Sequence, residues 1–113
     1  QTLLPVMLNH VNEGNISLFK LCELISTNPA KLYKAYDKGE IKLNNDADLT
    51  IIDLNKEIKI TNEIMVNKSG WTPFNNKLVK GWPIMTIING DIVMRDGELL
   101  GKPKGKPVLF NRT

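Results

Sequence analysis

Apolar residues in the first third of the chain recur every three or four positions, which is the spacing of one face of a helix. The first such set consists of Leu3, Leu4, Met7, Leu8 and Val11. This pattern predicts a helix from Gln1 to about Asn12. Thr2 is expected to be its N-cap, and Gly14 is expected to end it.

A second helix is predicted to begin after Ser17, which is a favourable N-cap residue. Its apolar face would consist of Leu18, Leu21, Cys22 and Ile25. The tripeptide Thr27-Asn28-Pro29 then predicts a break, after which Asn28 caps a third helix with proline in its first turn. Gly39 is expected to end this third helix in a left-handed conformation.

Beyond Gly39 the apolar period changes to two, which is typical of strands. Short strands are predicted at Ile41–Leu43, at Leu49–Ile52 and at Ile58–Ile60. A further run, Ile84–Ile88, is almost entirely apolar and predicts a strand buried on both faces.

Two dipeptides predict the turns of a hairpin near the end of the chain. Asn89-Gly90 suits a two-residue type I′ turn because both residues tolerate positive φ. The returning strand should span residues 91–95, and Asp96-Gly97 should turn the chain into a brief strand at residues 98–100. Residues 67–81 are predicted to form a loop, and residues 101–107 an extended tail.

Composition and charge narrow the possible partners of the chain. Its 113 residues are 42% hydrophobic and 24% charged, with a net charge of +3, which suits one small folded domain. The basic tail at Lys102, Lys104 and Lys106 has no aromatic neighbour before Phe110, so we expect it to be solvated and expect no nucleic-acid partner. No apolar run approaches the roughly 18 residues of a membrane span, so no membrane partner is expected. The single cysteine excludes an intrachain disulfide and agrees with a cytoplasmic location.

The side chains available for a metal site are few. A hydrolytic metal site needs three or more ligands from His, Cys, Asp, Glu or a modified Lys, and the chain has one histidine and one cysteine. His10 is interpreted as a surface or packing residue, and Cys22 as a small buried hydrophobe.

Three carboxylates lie close together in the sequence, at Asp46, Asp48 and Asp53. On a strand, Asp46 and Asp48 would share one face and could act in acid–base chemistry or bind a cation. Aspartate is also a common turn former at the entry to a strand, and we favour that structural interpretation.

The other candidates are weaker. Ser17 and Ser69 have no nearby base in sequence, and neither lies in a Gly-x-Ser-x-Gly elbow. Trp71 and Trp82 could line a ligand site, although tryptophans at loop and strand edges more often cover a core. No catalytic, cofactor-binding or metal-ligating residue is therefore assigned within the chain.

A series of motifs resembles one family. The run from Asn28-Pro29-Ala30 through Gly39-Glu40-Ile41 to Asp46-Ala47-Asp48-Leu49, with a strand ending in Asp53, resembles the hydantoinase and dihydroorotase branch of the amidohydrolase superfamily. Further segments similar to this branch are Gln1–Pro5, Ser69–Phe74, Gly81–Gly90, Met94–Leu99 and Gly101–Val108. The chain departs from the family at Asn44, where glycine is usual, but asparagine also tolerates positive φ.

The resemblance implies an α+β piece of a larger protein. Residues 1–40 would be outer helices of a (β/α)₈ barrel, and residues 41–113 would be strands of a small composite β-sandwich. In the family, strands from the N-terminal end complete that sandwich. The chain is therefore expected to be a C-terminal portion that associates with the remainder of its own enzyme or with a second chain.

The resemblance also implies a function for the complete enzyme. Enzymes of this branch bind zinc and hydrolyse cyclic amides, and the Gly81-Trp82-Pro83 strand and the Arg95-Asp96-Gly97-Glu98 hairpin favour dihydroorotases over hydantoinases. The family's His-x-His pair, its carboxylated lysine and its other ligands have no counterpart here. We therefore expect the complete enzyme to bind zinc and to be a homo-oligomer, and the 113-residue chain to bind no metal and be inactive. Two alternatives remain, namely a non-catalytic structural or regulatory subunit and a hydantoinase-type fragment.

Overall fold

The computed structural model describes residues 1–110, so the last three residues of the predicted sandwich segment 41–113 lie outside the described residues. The elements are α1 (Leu3–Asn12), α2 (Leu18–Cys22), a π-helical turn (Glu23–Thr27), α3 (Asn28–Leu32), β1 (Leu49–Lys59), a 3₁₀ turn (Asn62–Ile64), β2 (Leu78–Ile88), β3 (Asp91–Arg95) and β4 (Glu98–Leu99). The strands form one sheet in the order β1-β2-β3-β4. The predicted α+β class is thus confirmed. No helix among the described residues has both the length and the apolar character that a bilayer span requires.

Helix α1 confirms the first prediction, with one correction at its start. Thr2 occupies the N-cap position, but its side chain makes no capping hydrogen bond. Its backbone is already helical, and its carbonyl accepts the N–H of Val6 at 3.1 Å. At the other end, Gly14 takes a φ of +77° and donates to the carbonyl of Val11 at 3.0 Å. The glycine therefore ends the helix as predicted.

The predicted break at Thr27-Asn28-Pro29 is wrong, because residues 18–32 are helical without interruption. Helix α3 does begin at Asn28 with Pro29 in its first turn, as predicted, but its N-cap is Thr27 and not Asn28. The backbone N–H of Asn28 donates to the carbonyl of Glu23, five residues earlier, which is the hydrogen bond of a π-helix. In a regular α-helix the ring of Pro29 would clash with the carbonyl four residues before it. The wider π-helical turn leaves room for that ring. The helix therefore continues through Pro29, with an i to i−5 hydrogen bond in place of the usual i to i−4 bond.

The helix ends earlier than predicted, and Gly39 has a different role. Tyr33 is the C-cap of α3, and Lys34 is the first residue to take a positive φ, at +53°. Gly39, at φ +88°, packs against the π-helical turn, where its carbonyl accepts the hydroxyl of Thr27 at 2.9 Å. An added Cβ at Gly39 would approach the carbonyl oxygen of Ser26 to 3.0 Å. Glycine is needed here for this close approach.

The strand predictions are partly confirmed. The predicted strand at Ile41–Leu43 is wrong, since both side chains are about nine-tenths exposed, at 93% and 87%, and the chain turns at residues 42–45. Asn44 takes a φ of +73°, as expected of a residue in the family's glycine position. The two short strands predicted between residues 49 and 60 are one strand, β1.

Strand β2 also differs from its prediction. It begins at Leu78, so the last four residues of the predicted loop are strand, and its residues 84–88 are half-buried, not buried on both faces. β2 pairs antiparallel with β3, and β3 with β4. Both hairpin turns are confirmed, with positive φ at Asn89, Gly90, Asp96 and Gly97.

The described chain forms two compact units, each built from two segments. The first unit consists of residues 1–17 and 52–83, and its buried side chains include Leu8, Ile60 and Val79. Within this unit, two asparagine side chains of α1 form hydrogen bonds with the backbone of β1 and β2. Asn9 Oδ1 accepts the N–H of Lys80 at 2.9 Å, and Asn12 Nδ2 donates to the carbonyls of Lys80 at 2.8 Å and Leu54 at 3.0 Å.

The second unit consists of residues 18–51 and the described residues from 84 onward. Leu21 is fully buried in it, whereas Phe19 and Leu32, on the same continuous helix, are 75% and 76% exposed. The end of the described tail joins the unit through a bridge between Ala35 and Phe110. The division into barrel helices up to residue 40 and sandwich strands from residue 41 refers to a complete barrel enzyme, and it stays a prediction.

Gly81 provides a test of the packing of α1 in the first unit. Its φ is +104°, and an added Cβ would lie 2.6 Å from the Cβ of Leu8. Gly81→Ala should therefore lower the free energy of unfolding by about 2–4 kcal/mol, measured by urea titration. Gly14→Ala is the matched control, because Gly14 also has positive φ but no atom lies within 4 Å of its added Cβ. We expect about 1 kcal/mol for the control, and equal losses for the two variants would contradict the close-packing explanation.

Candidate functional site

The main cluster of charged side chains in the described residues surrounds Lys38, in the second unit. Its ammonium nitrogen lies 2.7 Å from a carboxylate oxygen of Asp46 and is also hydrogen-bonded to Asp48. All three side chains are partly exposed to solvent. The two aspartates that were candidates for acid–base chemistry or cation binding are therefore brought together, with a lysine between them.

Asp48 connects this cluster to the hairpin turn. Its Oδ1 accepts the backbone N–H of Asn89 at 2.8 Å, and the carbonyl of the preceding Ala47 accepts the N–H of Gly90 at 3.0 Å. The turn predicted from Asn89-Gly90 thus directs two backbone donors at the Asp46-Ala47-Asp48 segment. This segment is coil in the structure, so the predicted shared strand face of the two aspartates is not formed.

The pKa directions follow from these contacts. The hydrogen bonds to Asp46 and then to Asp48 raise the pKa of the Lys38 ammonium above its ordinary value of 10.5. Lys38 and, secondly, the Asn89 N–H hold the pKa of Asp48 below its ordinary value of 3.8, although burial acts in the opposite direction. Asp48 is therefore ionised at neutral pH and has no proton to give as a general acid.

A cavity of about 560 Å³ opens beside this cluster, within the second unit. Thr50 and Thr86 contribute hydroxyl groups to its lining, Ile87 and Leu109 contribute apolar surface, and Lys38 lies at its polar side. The lining also includes Asp37 and Lys106, so the cavity presents a further carboxylate and a further cation beside the ion cluster of Lys38. The arrangement can hydrogen-bond a small polar molecule, but the raised pKa of Lys38 and the lowered pKa of Asp48 leave neither of these two groups prepared for proton transfer near neutral pH.

The remaining candidate residues do not join this cluster. Asp53 accepts the N–H of Asn55 at 2.8 Å, a local turn contact. His10 is partly exposed, with Nδ1 at 3.3 Å from Glu13 and 3.2 Å from the amide of Asn15, which agrees with a surface residue. Ser17 immediately precedes α2.

Two expectations about burial differ from the structure. Cys22 was expected to be buried and is exposed, because the helix that carries it buries little besides Leu21 within the described residues. Trp71 was expected to cover a core, yet its side chain is mostly exposed on the loop that also carries Ser69. Trp82 is half-buried on β2, which fits the expected covering role.

The donor set of the described residues does not fit a zinc ion. No group of three or more His, Cys, Asp or Glu side chains among residues 1–110 is arranged to hold a metal. Asp46 and Asp48 provide two carboxylates side by side. The ammonium group of Lys38 lies between them, where a metal cation would have to bind.

Lys38 is the residue whose role sequence analysis missed. Lys38 follows the end of α3 by six residues, so no helical periodicity indicates which residues it contacts. The available signal was its position just before Gly39 and eight residues before Asp46. A lysine near two aspartates separated by one residue is often an ion-pair partner, but the intervening turn had to bring them together.

The chain belongs to the amidohydrolase family, whose sequence model matches residues 1–93. It is 40% identical over 109 residues to a dihydroorotase of Pyrococcus furiosus, a match that covers 96% of this chain and 26% of that protein. It is 38% identical over 102 residues to an L-hydantoinase of Paenarthrobacter aurescens, covering 88% of this chain and 22% of that protein. The chain thus spans about a quarter of the length of the curated relatives it matches.

The fold agrees with this assignment. The structure is similar to that of the L-hydantoinase (dihydropyrimidinase) from Arthrobacter aurescens, with a TM-score of 0.84 and 37% sequence identity. That match covers 88% of this chain and 22% of the hydantoinase chain. The chain is therefore a piece of dihydroorotase- or hydantoinase-type amidohydrolase structure.

Asp48 provides a test of the ion cluster. Asp48→Asn should lower the free energy of unfolding by about 1 kcal/mol at neutral pH, because the amide still accepts the Asn89 N–H but loses the charge that Lys38 pairs with. A lowered pKa means that the ionic contribution is complete above 3.8 and is lost as pH falls through the folded-state value. The stability gap between the wild type and the variant should therefore narrow below about pH 4.

Urea titrations from about pH 7 down to about pH 2 measure this gap. Asp53→Asn is the matched control, since Asp53 makes a local turn contact with Asn55. We expect this control to change the free energy of unfolding by less than about 0.5 kcal/mol. An Asp48→Asn gap that stays constant down to the lowest pH would show that the charge of Asp48 does not stabilise the fold.

Proposed function

We propose that the chain is the C-terminal scaffold segment of a zinc-dependent dihydroorotase. The complete enzyme would reversibly hydrolyse the cyclic amide of dihydroorotate to carbamoyl aspartate, a step of pyrimidine biosynthesis in the cytoplasm. The observation that carries the proposal is the 40% identity to a dihydroorotase across nearly the whole of this chain. Dihydroorotases of Pyrococcus abyssi and Pyrococcus horikoshii support it, at 39% and 38% identity.

The chemistry of the described residues supports a scaffold role. Opening a cyclic amide requires a nucleophilic hydroxide at the ring carbonyl and a proton for the departing nitrogen. Asp48 is held ionised by Lys38, and Lys38 keeps its proton because its pKa is raised. Neither group is suited to exchange a proton near pH 7, so both serve the structure. The metal and the proton-transfer groups would come from the rest of the enzyme.

The exposed apolar side chains support association with further polypeptide. Phe19, Leu24, Leu32 and Tyr33 all lie on or directly after the continuous helix 18–32 and are exposed. A helix with apolar residues on several sides is normally enclosed by a larger protein. We propose that the remainder of the same enzyme, or a second chain, covers this helix, and that the complete enzyme is a homo-oligomer.

A hydantoinase-type enzyme is the second candidate. The 38% identity to an L-hydantoinase and the TM-score of 0.84 with the structure of an L-hydantoinase favour it. Both candidates hydrolyse a cyclic amide, and they differ in the ring that the complete active site accepts. The substrate therefore distinguishes them.

The test compares the 113-residue chain with the complete protein encoded by its gene. With zinc present, the complete protein should open dihydroorotate, and the short chain should not, because residues 1–110 contain no set of side chains placed to bind a metal. Release of carbamoyl aspartate measures the activity, with hydantoin as the competing substrate. Preferential hydrolysis of hydantoin would select the second candidate. An inactive complete protein would select a non-catalytic subunit, and activity of the short chain would refute the scaffold role.

A further inference from the structure

Residues 62–77 form a loop, here called the tryptophan loop, that is held by its own asparagine side chains. Asn67 bridges the turn, because its Oδ1 accepts the N–H of Gly70 at 2.9 Å and its Nδ2 donates to the carbonyl of Trp71 at 3.1 Å. Asn62 Oδ1 accepts the N–H of Thr72 at 3.0 Å. These bonds fix the backbone on both sides of Trp71.

The second half of the tryptophan loop is fixed in the same way. Asn75 Oδ1 accepts the backbone N–H of Asn62 at 3.0 Å, and the hydroxyl of the buried Thr72 accepts the N–H of Phe74 at 3.2 Å. The carbonyl of Thr72 accepts the N–H of Asn75 at 3.2 Å. The loop is therefore a defined structure, and the positions of its side chains follow from it.

This ordered loop nevertheless presents two large apolar side chains to solvent. Trp71 is 57% exposed and Val66 is 77% exposed. An exposed tryptophan forgoes the large apolar area that it can bury. Tryptophans are typical anchors of protein interfaces, and a loop whose backbone is already fixed loses little further backbone entropy on binding.

The first residue of the chain lies on this loop. Gln1 Nε2 donates to the carbonyl of Ile64 at 2.9 Å, and Gln1 Oε1 accepts the N–H of Val66 at 3.0 Å. Both contacts lie within the first compact unit. Any polypeptide joined to the amino group of Gln1 must therefore start beside Val66, one residue before the asparagine that holds Trp71.

We propose that the tryptophan loop is the docking surface for the segment that joins the chain at Gln1 in the complete enzyme, with Trp71 as the anchor. This inference rests on the proposed function, under which such a segment exists. The relatives are long enough to provide it, since this chain covers 26% of the dihydroorotase from Pyrococcus furiosus. The segment should be apolar where it crosses Trp71 and Val66.

Hydroxyl-radical footprinting of the complete enzyme, read residue by residue by mass spectrometry, tests the proposal. If the segment covers the loop, oxidation of Trp71 in the native enzyme should be about ten-fold slower than in the urea-unfolded enzyme. If Trp71 keeps the 57% exposure of the present structure, its rate should be about half the unfolded rate, and the proposal fails. A native protein that consists of these 113 residues alone would also overturn it.

A pair of variants gives an independent measurement in the complete enzyme. Trp71→Ala should lower the melting temperature by at least about 2 °C, because it removes the anchor. Lys68→Ala, an exposed residue of the same loop, is the matched control and should leave the melting temperature unchanged. Equal melting temperatures for the two variants would count against docking at Trp71.

Hydrolysis of dihydroorotate by the same preparation separates the two proposals. Slow oxidation of Trp71 in a protein that does not hydrolyse dihydroorotate would support the proposed docking surface and contradict the proposed dihydroorotase function. Rapid oxidation of Trp71 in an active enzyme would reject the docking surface alone.

Discussion

The carboxylate of Asp48 joins its own coil to Lys38, ten residues earlier, and to the hairpin turn at Asn89, 41 residues later. It pairs with Lys38, which follows the long helix, and it accepts the N–H of Asn89 at the hairpin turn. Without it, the coil between Gly39 and β1 would keep the ion pair of Asp46 with Lys38 but would lose its side-chain hydrogen bond to the hairpin turn. Because these side chains are partly exposed, the ionic energy is modest. The geometry is nevertheless specific, since one side chain satisfies a backbone donor and an ammonium group together.

The first unit is organised by polar contacts of a different kind. Asn9 and Asn12 lie three residues apart on α1 and bind strand backbone, while Gly81 allows the helix to approach closely. Asn9 is buried, whereas Asn12 is exposed. A buried amide is stabilising only when it is hydrogen-bonded, because an unsatisfied buried polar group costs about 1–3 kcal/mol. No buried side-chain nitrogen or oxygen in the described residues lacks a partner. The buried polar side chains of the described residues therefore all have hydrogen-bond partners. The apolar side chains Phe19, Leu24 and Leu32 of the helix 18–32, in contrast, remain exposed.

This contrast separates the hydrogen bonds that hold the described residues together from the side chains that a catalytic centre would need. Hydrogen bonds that fix loops and turns are local, so they form within the segment itself. A hydrolytic metal centre needs ligands that converge from several elements, and the described residues contain no group of three or more His, Cys, Asp or Glu side chains placed to hold a metal. The proposed assignment to a dihydroorotase accordingly places the reaction outside this segment and gives the segment the task of supporting the enzyme that performs it.

The sequence by itself determined the features that depend on local backbone preference. Helix α1, the positive φ at Asn44 and the turns at Asn89-Gly90 and Asp96-Gly97 follow from side-chain spacing and from residues that tolerate left-handed conformations. The motifs around Asn28-Pro29-Ala30 and Asp46-Ala47-Asp48 also indicated the family.

Only the tertiary structure decided the features that depend on partners distant in sequence. The helix passes through Pro29 because a π-helical turn accommodates the ring, and Gly39 is needed for its approach to that turn. Ile41 and Leu43 alternate as in a strand, yet they form none because no neighbouring strand pairs with them within the described residues. Alternation records which side chains could share a face, but a strand forms only where another backbone supplies the hydrogen bonds.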